Sequence, residues 1–173
     1  MKNIHLDKGQ RVFLWLTVLL LAFLILRPVY VPPERQIAQE LHWPEKQVTI
    51  FYQQDFGEKQ LFCFQLEGSD VLGYAVASTG KYPQIERVRT NLGQMMEGGI
   101  NIWSAYSSLH LGEEWYYLFL SLHDDLAEIR HTWQDTSVSY PVNGSPSVVL
   151  IPDEHISGTH EFHFLDKDGN ELD

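Results

Sequence analysis

The rhythm of hydrophobic and polar positions changes twice along this chain. From Val12 to Leu26 (VFLWLTVLLLAFLIL) every position except Thr17 is apolar, none is charged, and Arg11 and Arg27 stand at the two ends. A run that is apolar on every side predicts a helix without a wet stripe, the pattern of a membrane span and not of a core helix. Glu34–Trp43 (ERQIAQELHW) then sets Ile37 and Leu41 one helical turn apart. Pro33 suits a first helical position and Pro44 forces a stop, so a short helix is expected there.

From Gln47 onward the period shortens towards two and turn residues recur at close intervals. Strands are expected at Val48–Gln53, Gln60–Glu67, Val71–Ser78, Ile85–Arg89, Ile100–Leu109, Trp115–Leu122, Glu128–Gln134, Ser147–Ile151 and His160–Leu165. Ile85–Arg89 (IERVR) alternates apolar and charged residues, as a half-buried strand does. Asp55–Lys59 (DFGEK) reads as a hairpin turn, and Asn91–Gly99 as a loop or short helix. The fold class that follows is mainly β. It comprises an N-terminal single transmembrane helix, a short juxtamembrane helix, and one antiparallel β-sandwich-like domain of about eight or nine strands. The divisions fall at 1–11 (tail), 12–31 (transmembrane anchor and exit), 32–44 (Pro-bounded helix or linker) and 45–173 (β-rich domain).

The apolar run has fifteen residues. As a helix it covers about 22 Å, against a hydrocarbon core of about 30 Å. Arg11 and Arg27 can snorkel to the headgroups, and Trp15 and Tyr30 suit the interfacial zones. These four residues are the expected flanks of the anchor. The exit, LILRPVYVPP, lacks the small-residue site at which a signal peptide is cut. Residues 1–11 carry a net charge of +2 and residues 28–173 a net charge of −14. The basic flank stays inside, which predicts a single-pass protein of the cell membrane, N-terminus cytoplasmic and C-terminal domain extracytoplasmic.

Charge also narrows the partners. The whole chain is at −11, which argues against nucleic acid and against anionic lipid surfaces, since both need a basic face. The expected partners are the bilayer, through the N-terminal helix, and an envelope or membrane protein. The one cysteine, Cys63, lies in LFCFQL and reads as a small buried hydrophobe, not a catalytic thiol.

Candidate chemistry is sparse. Among eight histidines the tightest cluster is His160-Glu161-Phe162-His163, but strand residues three apart point to opposite faces. That pair alone is a poor metal site, and His110, His123, His131 and His155 fall near different turns. Asp166-Lys167-Asp168-Gly169 begins like a calcium loop yet lacks its later ligands, so it reads as a tight turn. No G-x-S-x-G or H-E-x-x-H motif is present. No catalytic residue, metal ligand or cofactor is therefore assigned. The aromatic set Trp103, Tyr106, Trp115 and Tyr117 is the candidate binding surface, because aromatic side chains on a sheet make platforms for glycans or peptides.

The final third offers a resemblance. Trp115–Leu122 (WYYLFLSL), Glu128–Trp133 (EIRHTW), Ser147–Ile151 and then Phe162–Glu171 (FHFLDKDGNE) follow one another in an order that resembles small exported proteins of Bacilli. The resemblance implies a β-sandwich whose last strand closes in a D-x-D-G-N-E hairpin, and it carries over no catalytic residue. The function expected from all this is a non-enzymatic, membrane-anchored binding or interaction module. The alternatives are a regulatory or sensory accessory subunit of a membrane complex, and an exported hydrolase or metal-dependent enzyme.

Overall fold

The computed structural model describes residues 7–26, 30–80, 82–91, 102–153 and 159–172, with side chains excluded at 24–26 and 102–108. The chain separates into two compact units, 1–31 and 32–173. In the first, α1 runs over Lys8–Leu26. Its large apolar side chains are solvent-exposed, Trp15 to 68%.

The spanning helix expected from the sequence is overturned. Among the described residues no helix is long and apolar enough to cross a membrane. The first turn of α1, Lys8-Gly9-Gln10-Arg11, is polar. What remains is the fifteen-residue run of about 22 Å, short of the roughly 30 Å of hydrocarbon. The single-pass anchor and the cell-membrane placement expected from the sequence are therefore not supported. Arg11 and Tyr30 are exposed, whereas Arg27 lies outside the described residues.

The second unit is mainly β, with ten strands among the described residues where about eight or nine are expected. They form three antiparallel sheets. The first sheet holds β1 (Val48–Phe56), β2 (Lys59–Leu66), β3 (Leu72–Ser78) and β4 (Ile85–Thr90) in sequential order. The middle sheet has the order β5 (Ile102–Leu111), β6 (Glu114–Ser121), β9 (Ser147–Pro152). The outer sheet has the order β10 (His160–Leu165), β7 (Glu128–Trp133), β8 (Thr136–Pro141).

Strand alternation assigns each face to a core. On the first sheet, Phe62, Phe64, Leu66, Ala75 and Ala77 point to α2 (Pro33–Leu41), where they bury Ile37 and Ala38. Complete burial of rings such as Phe62 and Phe64 stabilises by roughly 1.5–3 kcal/mol each. The helix stops where the sequence demands: His42 turns left-handed at φ 55, and Pro44 follows. The opposite face of the first sheet, with Leu61, Cys63, Leu72, Tyr74 and Val76, packs on Leu109, Leu111, Leu118 and Leu120 of the middle sheet. The middle sheet's other face, with Phe119, Val149 and Ile151, packs on Ile129, Phe162 and Phe164 of the outer sheet. Helix and sheets thus stack as α2, first, middle, outer. Among the described residues, none of these three cores covers the far face of the outer sheet.

β6 is covered on both sides, which is why WYYLFLS reads as a continuous apolar run with no alternation. β8 is the strand missing from the sequence expectation. Its TSVSYP is exposed almost throughout, as an edge strand's side chains are.

Candidate functional site

The outer sheet has two chemically distinct faces, set by the register of β7 against β10. His163 pairs with Arg130 and Glu161 with Thr132, and these side chains point away from the middle sheet; Leu165, opposite Glu128, is buried. His160, Phe162 and Phe164 stand opposite Trp133, His131 and Ile129, and point towards it. His160 and His163 therefore lie on opposite faces, as strand geometry requires.

The exposed face is polar and cross-linked. Arg130 donates from Nε (3.1 Å) and from its terminal nitrogen (2.8 Å) to one oxygen of Glu128, which also accepts from Ser139 Oγ at 2.7 Å. The Ser139 hydrogen bond, followed by Arg130, holds the Glu128 carboxyl below its usual range. His163 Nδ1 lies 2.9 Å from Glu171, and its Nε2 lies 3.9 Å from Glu161. Two open depressions lie on this sheet. The larger, about 440 Å³, is lined by Arg130, Thr132, His163, Leu165, Gly169 and Glu171. The smaller, about 290 Å³, is lined by Thr132, Trp133, Gln134, Thr159 and Glu161. Thr132 belongs to both.

The C-terminal turn forms one wall of the larger depression. Asp166 accepts hydrogen bonds from the backbone N–H groups of Asp168 and Asn170, both at 2.8 Å, and from the Asn170 amide at 3.0 Å. The Asn170 side chain leads in holding this carboxyl below its ordinary value. The D-x-D-G sequence is thus a self-satisfied turn. It brings Leu172 back to Phe164 (2.8 Å) and seats Glu171 beside His163.

On the covered face, His131 is 4% exposed. Its Nε2 lies 2.8 Å from His160 Nδ1, and its ring stacks on Phe162 and lies tilted against Trp133, each at 4.5 Å. Tyr117 of β6 closes over the group, 6.0 Å from His131 and 5.9 Å from His160. Burial, and then the charge of His160, lower the His131 pKa, with Asp153 opposing. Burial, and then Asp153, raise that of the Tyr117 hydroxyl. The two imidazoles are engaged with each other, and among the described residues no three His, Cys, Asp or Glu side chains are arranged to hold a metal ion.

The aromatic platform expected from the sequence is distributed differently. Trp115 is 37% exposed and packs on His110 at 4.7 Å. Tyr117 points the same way along β6 but belongs to the core between the middle and outer sheets. Tyr116 faces the first sheet, edge-on to Phe56 at 5.5 Å. The hydrogen bond from its hydroxyl to Glu114 pushes its pKa up to about 12. The side chains of Trp103 and Tyr106 lie outside the described residues. Arg130, Thr132 and His131 were not singled out by composition or motif. The usable signal was the alternation EIRHTW, which places Arg130 and Thr132 on one face and His131 on the other.

Comparison with protein-family models, with curated proteins and with solved structures finds no match.

Proposed function

We propose that this chain is a non-enzymatic binding module whose recognition surface is the exposed face of the β10-β7-β8 sheet. The observation that carries this reading is the pair of depressions that meet at Thr132. Together they favour an extended ligand lying across the strands over a small molecule enclosed in a pocket. Hydrogen-bonding side chains of both kinds line them. Glu161 and Glu171 outweigh Arg130, which already neutralises Glu128, and the chain as a whole is at −11. A cationic peptide segment suits that balance.

The test is a titration of the full chain with lysine-containing and glutamate-containing peptides, followed by amide chemical shifts. Lysine peptides are expected to shift Arg130, Thr132, Glu161 and His163, and binding should weaken with salt. Thr132→Tyr fills the meeting point of the depressions with a residue that strands accept well. It should lower affinity by about tenfold or more. Shifts confined to another surface, or unchanged binding by T132Y, would reject this face as the site.

A further inference from the structure

β8 is an edge strand with one side unused. In the β7–β8 hairpin the two-residue turn Gln134-Asp135, with Gln134 at φ 49, makes Trp133 and Thr136 the closing pair. The pair that closes such a turn shares main-chain hydrogen bonds, and along an antiparallel strand the bonded side alternates. Thr136, Val138 and Tyr140 therefore spend their backbone groups on β7. Ser137, Ser139 and Pro141 direct theirs outward, and the proline, with no N–H to offer, stands where an edge strand tolerates it. Among the described residues no strand pairs with that side of β8.

The other edges are guarded. Register shifts interrupt β1 and β5, β4 carries Glu86, Arg87 and Arg89, and β10 carries Glu161. The side chains of β9 are buried or half-buried up to Pro152. β8 (TSVSYP) has neither a charge nor a bulge, and every side chain but Tyr140 is exposed. Val138, opposite His131 on the inward face, is still 37% exposed, so the middle sheet does not close over it.

We propose that β8 pairs antiparallel with β8 of a second copy of this chain, about a two-fold axis at Val138. The strand's own sequence selects that occupant. Ser137-Val138-Ser139 reads the same in both directions, so the axis sets Ser137 opposite the second copy's Ser139 twice over, and Val138 opposite its counterpart. The serines are the residues whose N–H and C=O groups face outward, so both serine pairs exchange main-chain bonds. Val138 meets Val138 as the closer, non-bonded pair, and Thr136 meets Tyr140, a β-branched residue against an aromatic one. Charge favours the same register. Two chains at −11 repel each other over most of their surfaces, whereas this strand is neutral. Asp135 falls opposite the second copy's Pro141 and not opposite another carboxylate, and Arg130 holds Glu128 at 2.8 Å. Because the axis stands perpendicular to the sheet, the two polar faces lie side by side on one continuous sheet. The pairing itself does not depend on that face binding a peptide.

A six-residue edge buries little surface, so the association is weak and depends on concentration. Hydrogen exchange of the full chain tests it. From about 10 μM to about 1 mM, the Ser137 and Ser139 amides should gain about threefold protection or more, while Val138, already bonded to β7, changes little. Val138→Cys gives an independent reading. Across a non-bonded antiparallel pair the two Cα atoms lie about 4.5 Å apart, within reach of a disulfide, whereas Thr136→Cys sets its two copies too far apart along the strands. Under the same added oxidant, V138C should form a linked dimer about tenfold faster than T136C or more. Adding Ser137→Pro, which removes an outward N–H, should slow V138C to the rate of T136C. Exchange that ignores concentration, equal linking of V138C and T136C, or linking of V138C unaffected by S137P each overturns the pairing. Self-association through α1 alone gives those negative outcomes. Should the double variant fail to fold, exchange in the parent chain and the V138C–T136C comparison decide.

Discussion

Gln36 and Ile85, 49 positions apart in sequence, are joined by a hydrogen bond of 3.0 Å from the Ile85 backbone N–H to Gln36 Oε1. The same amide donates from Nε2 to the Pro83 carbonyl at 2.8 Å. One polar side chain on α2 thereby satisfies two backbone groups at the entry to β4. Gln36→Leu preserves helix propensity but strips both bonds, and should cost about 1–3 kcal/mol in urea unfolding. Gln36→Glu, which keeps the acceptor and loses the donor, should fall between the two.

Gly73 has no room for a side chain. A Cβ there would lie 2.7 Å from the Arg89 carbonyl oxygen and would also strike the Phe64 ring. The carbonyl belongs to the β3–β4 ladder and cannot yield without breaking register. Gly73→Ala is expected to destabilise by about 1–3 kcal/mol, read as a fall in Tm.

The three cores draw all their residues from 37–172. A fragment comprising residues 32–173 should therefore unfold cooperatively, at a Tm within a few degrees of the full chain. A non-cooperative transition by circular dichroism would show that residues 1–31 take part in the fold.

Cys63 is fully buried between the first and middle sheets, and burial pushes its thiol pKa far up. It should be inert to thiol reagents in the native state and react at once in denaturant. Labelling that keeps pace with a free thiol in native buffer would contradict the packing of β2.

Acid should weaken the C-terminal turn. Asp166 and Glu128 both have carboxyl pKa values held below their unfolded values. Their stabilising contribution is present above the ordinary carboxylate range and is lost as pH falls through the lowered folded value. Asp166→Ala should flatten that acid limb in pH-dependent denaturation and free the Leu172 amide to exchange.

Much of the β framework could be read from the chain, because β4 and β7 alternate and β2 and β3 are bounded by turn residues. Two things could not. β8 has only Val138 and Tyr140 to mark its period, since an exposed edge strand needs no apolar stripe. The stacking of three sheets was also hidden, because alternation tells which side chains are covered and not by what. β6 did carry a clue, in the loss of alternation that two-sided burial produces. The His131–His160 contact depends on how β7 and β10 are aligned, and a one-residue slip of either strand would have put the two rings on opposite faces. The apolar run Val12–Leu26 shows the opposite failure. Its composition resembles a span, but length decides, and the polar first turn of α1 leaves it short.

β6 has no neutral side. Leu118 and Leu120 belong to one core, and Tyr117 and Phe119 to the next. A substitution at any of these four positions falls on one core or the other, and neighbouring positions fall on different ones. The strand acts as a shared hinge pin for folding: the first and outer sheets, whose cores lie on opposite faces of the middle sheet, should melt together because each loses its floor when β6 goes.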